Sequence, residues 1–126
     1  MKFEEIVKGV WIIEPEIHSD SRGYLYESYR ADEFQKRGLS ANFQYEKEGL
    51  IPVGEVELGE AGYLIALTSG SGVVKVRGNK IEIPDKNQVY IEKGVKCSIK
   101  ITEEAHVILK SREQKTLHNA YEESKK

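Results

Sequence analysis

Apolar and polar residues alternate with a period of two along most of this chain, the spacing of strands that bury one face. The alternation predicts strands over Gly9–Ile17, Tyr24–Tyr29, Asn42–Lys47, Tyr63–Thr68, Val73–Arg77, Lys80–Ile83, Gln88–Ile91, Cys97–Ile101 and His106–Lys110. Turn residues punctuate them: Ser69-Gly70-Ser71-Gly72, Gly78-Asn79, Pro84-Asp85 and Lys93-Gly94. One segment has helical character instead. Ala31–Arg37 reads ADEFQKR, with Asp32 as a cap, good helix formers after it and Gly38 as a stop. The polar tail Gln114–Lys126 reads as a frayed helix. The pattern predicts an all-β fold, a jelly-roll barrel or sandwich with one short helix, closed so that most strand edges are protected.

A length of 126 residues fits one domain, 1–126, able to bury a core without metals or disulfides. The net charge of -2, from 19 basic and 21 acidic residues spread along the chain, offers no basic stripe for a phosphate backbone, so nucleic acid is not expected as a partner. The N-terminal MKFEEIVKGVWII carries acidic residues where a secretory signal needs an apolar core, and Cys97 is the sole cysteine. A cytoplasmic location is therefore the expectation. No apolar run approaches the ~20 residues of a membrane helix, and no membrane partner is expected. The Lys- and Glu-rich charged fraction of 32% leans towards a thermophilic source.

The segment Tyr63–Ile83 reads as strand, Gly/Ser turn, strand, Gly-Asn turn, strand, and resembles the central hairpins of the cupin jelly roll. Gln88–Ile99 resembles the second cupin motif, P-x-G-x-x-H after an apolar strand, with Glu92 at the proline, Gly94 at the glycine and Cys97 at the histidine. Cupin metal centres need several converging imidazoles and carboxylates. The three histidines here, His18, His106 and His118, include no His-x-His pair, so neither a metal nor another cofactor is expected. A lone cysteine such as Cys97 is more often a small buried hydrophobe than a nucleophile.

The stretch DSRGYLYES, Asp20 to Ser28, sets Arg22 and Glu27 in a segment with the aromatic content of a strand. It reads either as an edge strand with charges in water or as a strand lining a polar cavity. With Gly9–Pro15 before it and Phe34, Gly38-Leu39 and Asn42-Phe43-Gln44 after it, it resembles dTDP-4-dehydrorhamnose 3,5-epimerase, a metal-free family within the cupins. In that family the run reads approximately V-x-I-x-E-P, D-x-R-G-x-F-x-E-S, F-V-Q-D-N. The family is usually longer, and the shortfall lies mainly between Gln44 and Tyr63. The resemblance implies that Arg22 and Glu27 bind a dTDP-sugar, Arg22 through its guanidinium on diphosphate oxygens, and that Gln44 matches the family glutamine. Tyr45 and Glu46 replace the two polar residues that follow it. Regular alternation puts Arg22 and Glu27 on opposite faces of a strand unless Gly23 bears a bulge. The family resolves this, as the resemblance implies, by forming a homodimer in which the N-terminal segment reaches the other subunit's cavity.

The family's chemistry is harder to place. Its base is a histidine in R-G-L-H-x-Q, needed because abstraction of a proton at carbon requires a near-neutral pKa. The corresponding segment here, between Gln44 and Tyr63, has no histidine; Pro52 falls at the arginine and Glu55 near the base. A second family histidine becomes Cys97, and the tyrosine acid of L-Y-K becomes Leu109. The expectation is a non-catalytic cupin, with no catalytic residue assigned, that binds a nucleotide-sugar or similar anionic metabolite and forms a homodimer. Two alternatives stand beside it: an epimerase or isomerase with relocated groups such as Glu55 or His106, and a structural dimer without a ligand. A histidine or carboxylate inside the barrel beside a tyrosine would favour the enzyme, and an apolar filling would favour a binding or structural role. His18, at a strand end, is the remaining candidate, and a histidine there is usually solvated.

Overall fold

The computed structural model describes residues 2–14, 16–19, 25–28, 31–39, 43–84 and 87–111, with 16–19, 25–28 and 31–33 described as backbone. Among the described residues ten strands and one helix follow in chain order: β1 (Lys2–Val7), β2 (Val10–Glu14), β3 (Glu16–Ser19), β4 (Leu25–Ser28), α1 (Ala31–Lys36), β5 (Tyr45–Ile51), β6 (Gly54–Gly59), β7 (Tyr63–Val76), β8 (Asn79–Glu82), β9 (Gln88–Ile91) and β10 (Cys97–Ser111). All pairings are antiparallel. The fold is the expected all-β, cupin-like jelly roll.

Two long strands organise it. The alternation predicted Tyr63–Thr68 and Val73–Arg77 as separate strands joined by the Ser69–Gly72 turn, but β7 runs unbroken through that segment. Likewise Cys97–Ile101 and His106–Lys110 are one strand, β10. The Gly/Ser run bends β7 instead of reversing it. At Gly70, with φ of 80°, an added Cβ would meet Ala105 Cα at 2.6 Å, so only glycine allows the backbones of β7 and β10 to approach this closely. The β7–β10 register slips at the same place, around Glu103 and His106.

This bend folds one hydrogen-bonded sheet into two halves. The larger has the order β1-β2-β9-β7-β10-β5, using the first half of β7 and the second half of β10. The smaller uses the other halves, with β8 against β7 and β6 against β10. Their inner faces close on a common core that includes Ile65, Leu67, Val89, Val107 and Leu109 from one half and Val56, Val74, Ile81, Ile99 and Ile101 from the other. A second, smaller cluster covers part of the larger half's outer face, where Phe34 of α1 and Leu39 pack on Ile13, Leu64 and Tyr90.

The helix ends as predicted, with Gly38 in the left-handed region at φ of 73°. Its start differs: Ala31 is already helical, so Asp32 lies inside the first turn rather than capping it. Strands β1 and β6 were missed. Glu4 and Glu5 break the apolar alternation of β1, and β6 lies in GEVELG, where four of six residues are Glu or terminal Gly. Strand β5 begins at Tyr45, three residues later than predicted, and extends to Ile51. The tail Gln114–Lys126 lies outside the described residues.

Candidate functional site

The inner faces of the two half-sheets carry the main buried apolar cluster. By register one inner row runs Ile12, Val89, Ile65, Leu109 and Lys47 across β2, β9, β7, β10 and β5. Leu109, which the resemblance sets at the family's acid, is fully buried among apolar neighbours. Cys97, which the resemblance sets at the second histidine, is buried with its thiol 3.7 Å from the Gly59 carbonyl that accepts from it. Burial, with a smaller contribution from the Glu57 charge, pushes that thiol up to about 12, so it is held neutral and is no nucleophile. The buried polar side chains among the described residues are Gln88, Ser98 and Ser111; no described carboxylate or imidazole is buried.

A tyrosine does lie in this core. Tyr63 donates its hydroxyl to the Leu58 carbonyl and accepts from the Ala61 N–H at 3.3 Å. Leu58 lies near the end of β6 and Ala61 in the connection to β7, so the phenol ties the strand end to the turn that follows it. Sequence reasoning had not singled it out, and nothing in its surroundings marks it beyond its place at the start of an apolar strand.

The two residues considered as relocated bases sit on outer faces, far apart in the fold. Glu55 of β6 binds Lys75 Nζ at 3.2 Å and accepts from Ser98 Oγ at 3.2 Å, and this lysine contact holds its carboxyl below the ordinary range. An acid so stabilised as its anion is a weak base. His106 lies 3.2 Å from Glu48 on the outer side of β10. Neither faces the interior.

The predicted binding residues fall partly outside the described residues. Arg22 lies outside the described residues. Glu27 stands on β4 opposite Ile17 of β3, in a two-stranded sheet that is separate from the main one; its side chain and that of His18 are not described. Gln44 is exposed just before β5. It lines a shallow cleft of about 240 Å³ with Phe43, Tyr45, Glu46 and Lys110. Phe43 is held there by an edge contact on Tyr90, ring centroids 5.9 Å apart. A smaller hollow of about 80 Å³ shares Glu46 and Lys110 and continues over Leu64, Ala66, Gln88 and Ile108. Among the described residues no three His, Cys, Asp or Glu side chains converge as metal ligands, and no helix is long and apolar enough to cross a membrane.

Residues 4–50 match the family model of dTDP-4-dehydrorhamnose 3,5-epimerase. The dTDP-4-dehydrorhamnose 3,5-epimerase of Methanothermobacter thermautotrophicus is 40% identical over 42 residues, a match that spans 33% of this chain and 23% of that relative. The fold extends the likeness further. The epimerase of Sulfolobus tokodaii superposes with a TM-score of 0.70 at 19% identity, covering 86% of this chain and 72% of that one. The Legionella pneumophila enzyme, solved with dTDP-4-keto-L-rhamnose, gives 0.71 at 20% identity, covering 89% and 71%. The chain is similar to the dTDP-4-dehydrorhamnose 3,5-epimerases in sequence over residues 4–50 and in fold over most of its length. The matched sequence ends within β5, and the likeness of fold extends beyond it.

Proposed function

We propose that this RmlC-like chain is a non-catalytic relative of the epimerases that binds a nucleotide-sugar or similar anionic metabolite as a metal-free homodimer. The observation that carries the loss of catalysis is the fully buried Leu109, together with buried Cys97, where the family's acid and second histidine fall. Neither side chain has a proton to exchange near neutral pH, and neither candidate for a relocated base faces the interior. The matched N-terminal segment, which contains Arg22 and Glu27, and the cleft at Gln44 with its lysine, amide and two rings support the binding role. A ligand held there lies outside the packed core.

Two measurements test this. Incubation with dTDP-4-keto-6-deoxyglucose in D₂O should give no deuterium at C3 or C5 above the enzyme-free rate by NMR, and clear incorporation would restore the epimerase reading. Calorimetry should detect dTDP or a dTDP-sugar, with Arg22→Ala weakening binding by about 1.5–3 kcal/mol if the pair is partly desolvated. A second reading, a structural dimer without a ligand, is favoured by one observation, the apolar filling of the barrel. It gains if wild type binds no nucleotide at millimolar concentration while Arg22→Ala dissociates the dimer.

A further inference from the structure

The outer face of the larger half-sheet is covered on one side. Register sets Glu48, Ile108, Ala66 and Gln88 in one outward row across β5, β10, β7 and β9, and Glu46, Lys110, Leu64 and Tyr90 in the next. Over β7 and β9 the helix cluster packs on Leu64 and Tyr90 through Phe34. Over β10 and β5 no described element lies on this face, and Ile108 and Ala66 stay half-buried. They floor the hollow of about 80 Å³, which joins the Gln44 cleft through the Glu46 and Lys110 that both share.

The chain itself leaves the sheet at this rim. Strand β10 ends at Ser111, one residue past Lys110. Residues 112–126 lie outside the described residues, and their sequence is REQKTLHNAYEESKK. Leu117, Ala120 and Tyr121 are the apolar side chains of that segment, at the i, i+3, i+4 spacing that a helix gathers into one stripe. A helix this short is marginal in water and draws its stability from a surface that takes the stripe. The lengths agree. Ile108 lies about 10 Å back along the strand from Ser111 at ~3.3 Å per residue. Residues 112–116 span up to about 17 Å, enough to reverse the chain and bring Leu117 above Ile108. One helical turn of about 6 Å then carries Tyr121 to Ala66 on the neighbouring strand, about 4.8 Å away.

We propose that residues 112–126 dock on this face as a short amphipathic helix, with Leu117 and Tyr121 over Ile108 and Ala66, and that the docked segment overhangs the Gln44 cleft and lowers its affinity for an anionic ligand. The occupant is this segment because it starts at the rim of the hollow and carries an apolar stripe of matching width, so any other occupant has to displace it. The effect on affinity rests on the binding role proposed above; the docking stands without it.

Cross-linking in the full chain tests the docking. The variant carrying Ile108→Cys and Tyr121→Cys should form an intrachain disulfide with oxidised glutathione, read by mass spectrometry of the tryptic peptides. The control carrying Lys80→Cys, on the smaller half-sheet, with Tyr121→Cys should not; buried Cys97 does not compete. A second variant keeps every sheet residue. With Leu117→Asp and Tyr121→Asp the stripe is lost, and native trypsin should cut after Lys115 about tenfold faster than in wild type, because cleavage follows the population of the undocked form. By calorimetry the same variant should bind dTDP about fivefold more tightly or better, since the docked fraction no longer has to open first. No intrachain disulfide together with an unchanged cleavage rate overturns the docking. An interchain disulfide through position 108 also overturns it, because a second copy then fills the hollow. Docking with equal dTDP affinity in the two proteins overturns the effect on the cleft. If neither protein binds dTDP, the binding role fails while the cross-link still decides the docking.

Discussion

Replacing Leu109 by alanine tests whether the barrel is a packed core or a site. The side chain is fully buried in the main cluster. Its row neighbours on the adjacent strands are Ile65 and Lys47. Removing three carbon groups forfeits roughly 2.5 kcal/mol of transfer free energy at about 0.8 kcal/mol for each. The strands on both sides are locked by ladders and cannot collapse onto the gap, so the cavity term raises the expected loss to about 3–5 kcal/mol. Against a total stability of roughly 5–15 kcal/mol that is a large share, and the melting temperature should fall by roughly 10 °C or more. Ile108, the next residue, points to the outer face and is half-buried, so its truncation should cost about 1 kcal/mol or less. Urea unfolding of the two variants, with m-values compared to wild type, gives both numbers. A Leu109→Ala loss below about 1.5 kcal/mol at unchanged m-value would show that space already exists beside the residue. The interior would then be open to a ligand, and the argument from filling to lost catalysis would fail.

Cys97 should not react with a disulfide reagent in the native protein at pH 8 and should react fully in guanidinium, because its thiol is pushed up to about 12; rapid native labelling would contradict its burial. Tyr63→Phe should cost about 1–3 kcal/mol by leaving the Leu58 carbonyl and the Ala61 N–H without the phenol, and a neutral result in thermal unfolding would mean that water replaces it. The Glu55 carboxyl should titrate below its ordinary value in NMR and move up in Lys75→Met; its folded pKa is depressed, so its small contribution to stability is present at neutral pH and lost as pH falls through the lowered value. Gly70→Ala should destabilise strongly, as the added carbon meets Ala105 on the facing strand; a loss under about 1 kcal/mol would mean that the two long strands can part there.

Much of the fold could be read from alternation because the inner and outer faces of β7, β9 and β10 differ sharply in polarity. Gln88–Ile91 was delimited to the residue. What alternation could not show is continuity. A Gly/Ser run between two apolar stretches looks the same whether the chain reverses or bends, and the difference at Ser69–Gly72 is decided by the partner strand, which slips in register to follow the bend. The strands β1 and β6 escaped for another reason. Both lie at edges of the sheet halves and carry charge on positions that a half-buried strand would fill with apolar side chains. Edge strands carry such charges to avoid random pairing, and that same device hides them from a hydrophobic pattern.

The site was less legible, and the reason lies in how the resemblance is read. A motif reading compares one position at a time: tyrosine to leucine at 109, histidine to cysteine at 97. Each replacement alone could leave a hollow with altered chemistry. Packing joins them, since Leu109 and Cys97 belong to one buried cluster with residues from both half-sheets. Close-packed interiors hold few voids larger than a water molecule, so apolar replacement at two interior positions means that the neighbouring chains have closed on them. Surface positions are under no such constraint. Gln44 keeps its exposure and its cleft, with Lys110 beside it, although the strand that leads from it has different residues from the family pattern. Under the binding role proposed above, Arg22→Ala against Leu109→Ala separates site from core: the first should alter binding with little change in stability, the second the reverse.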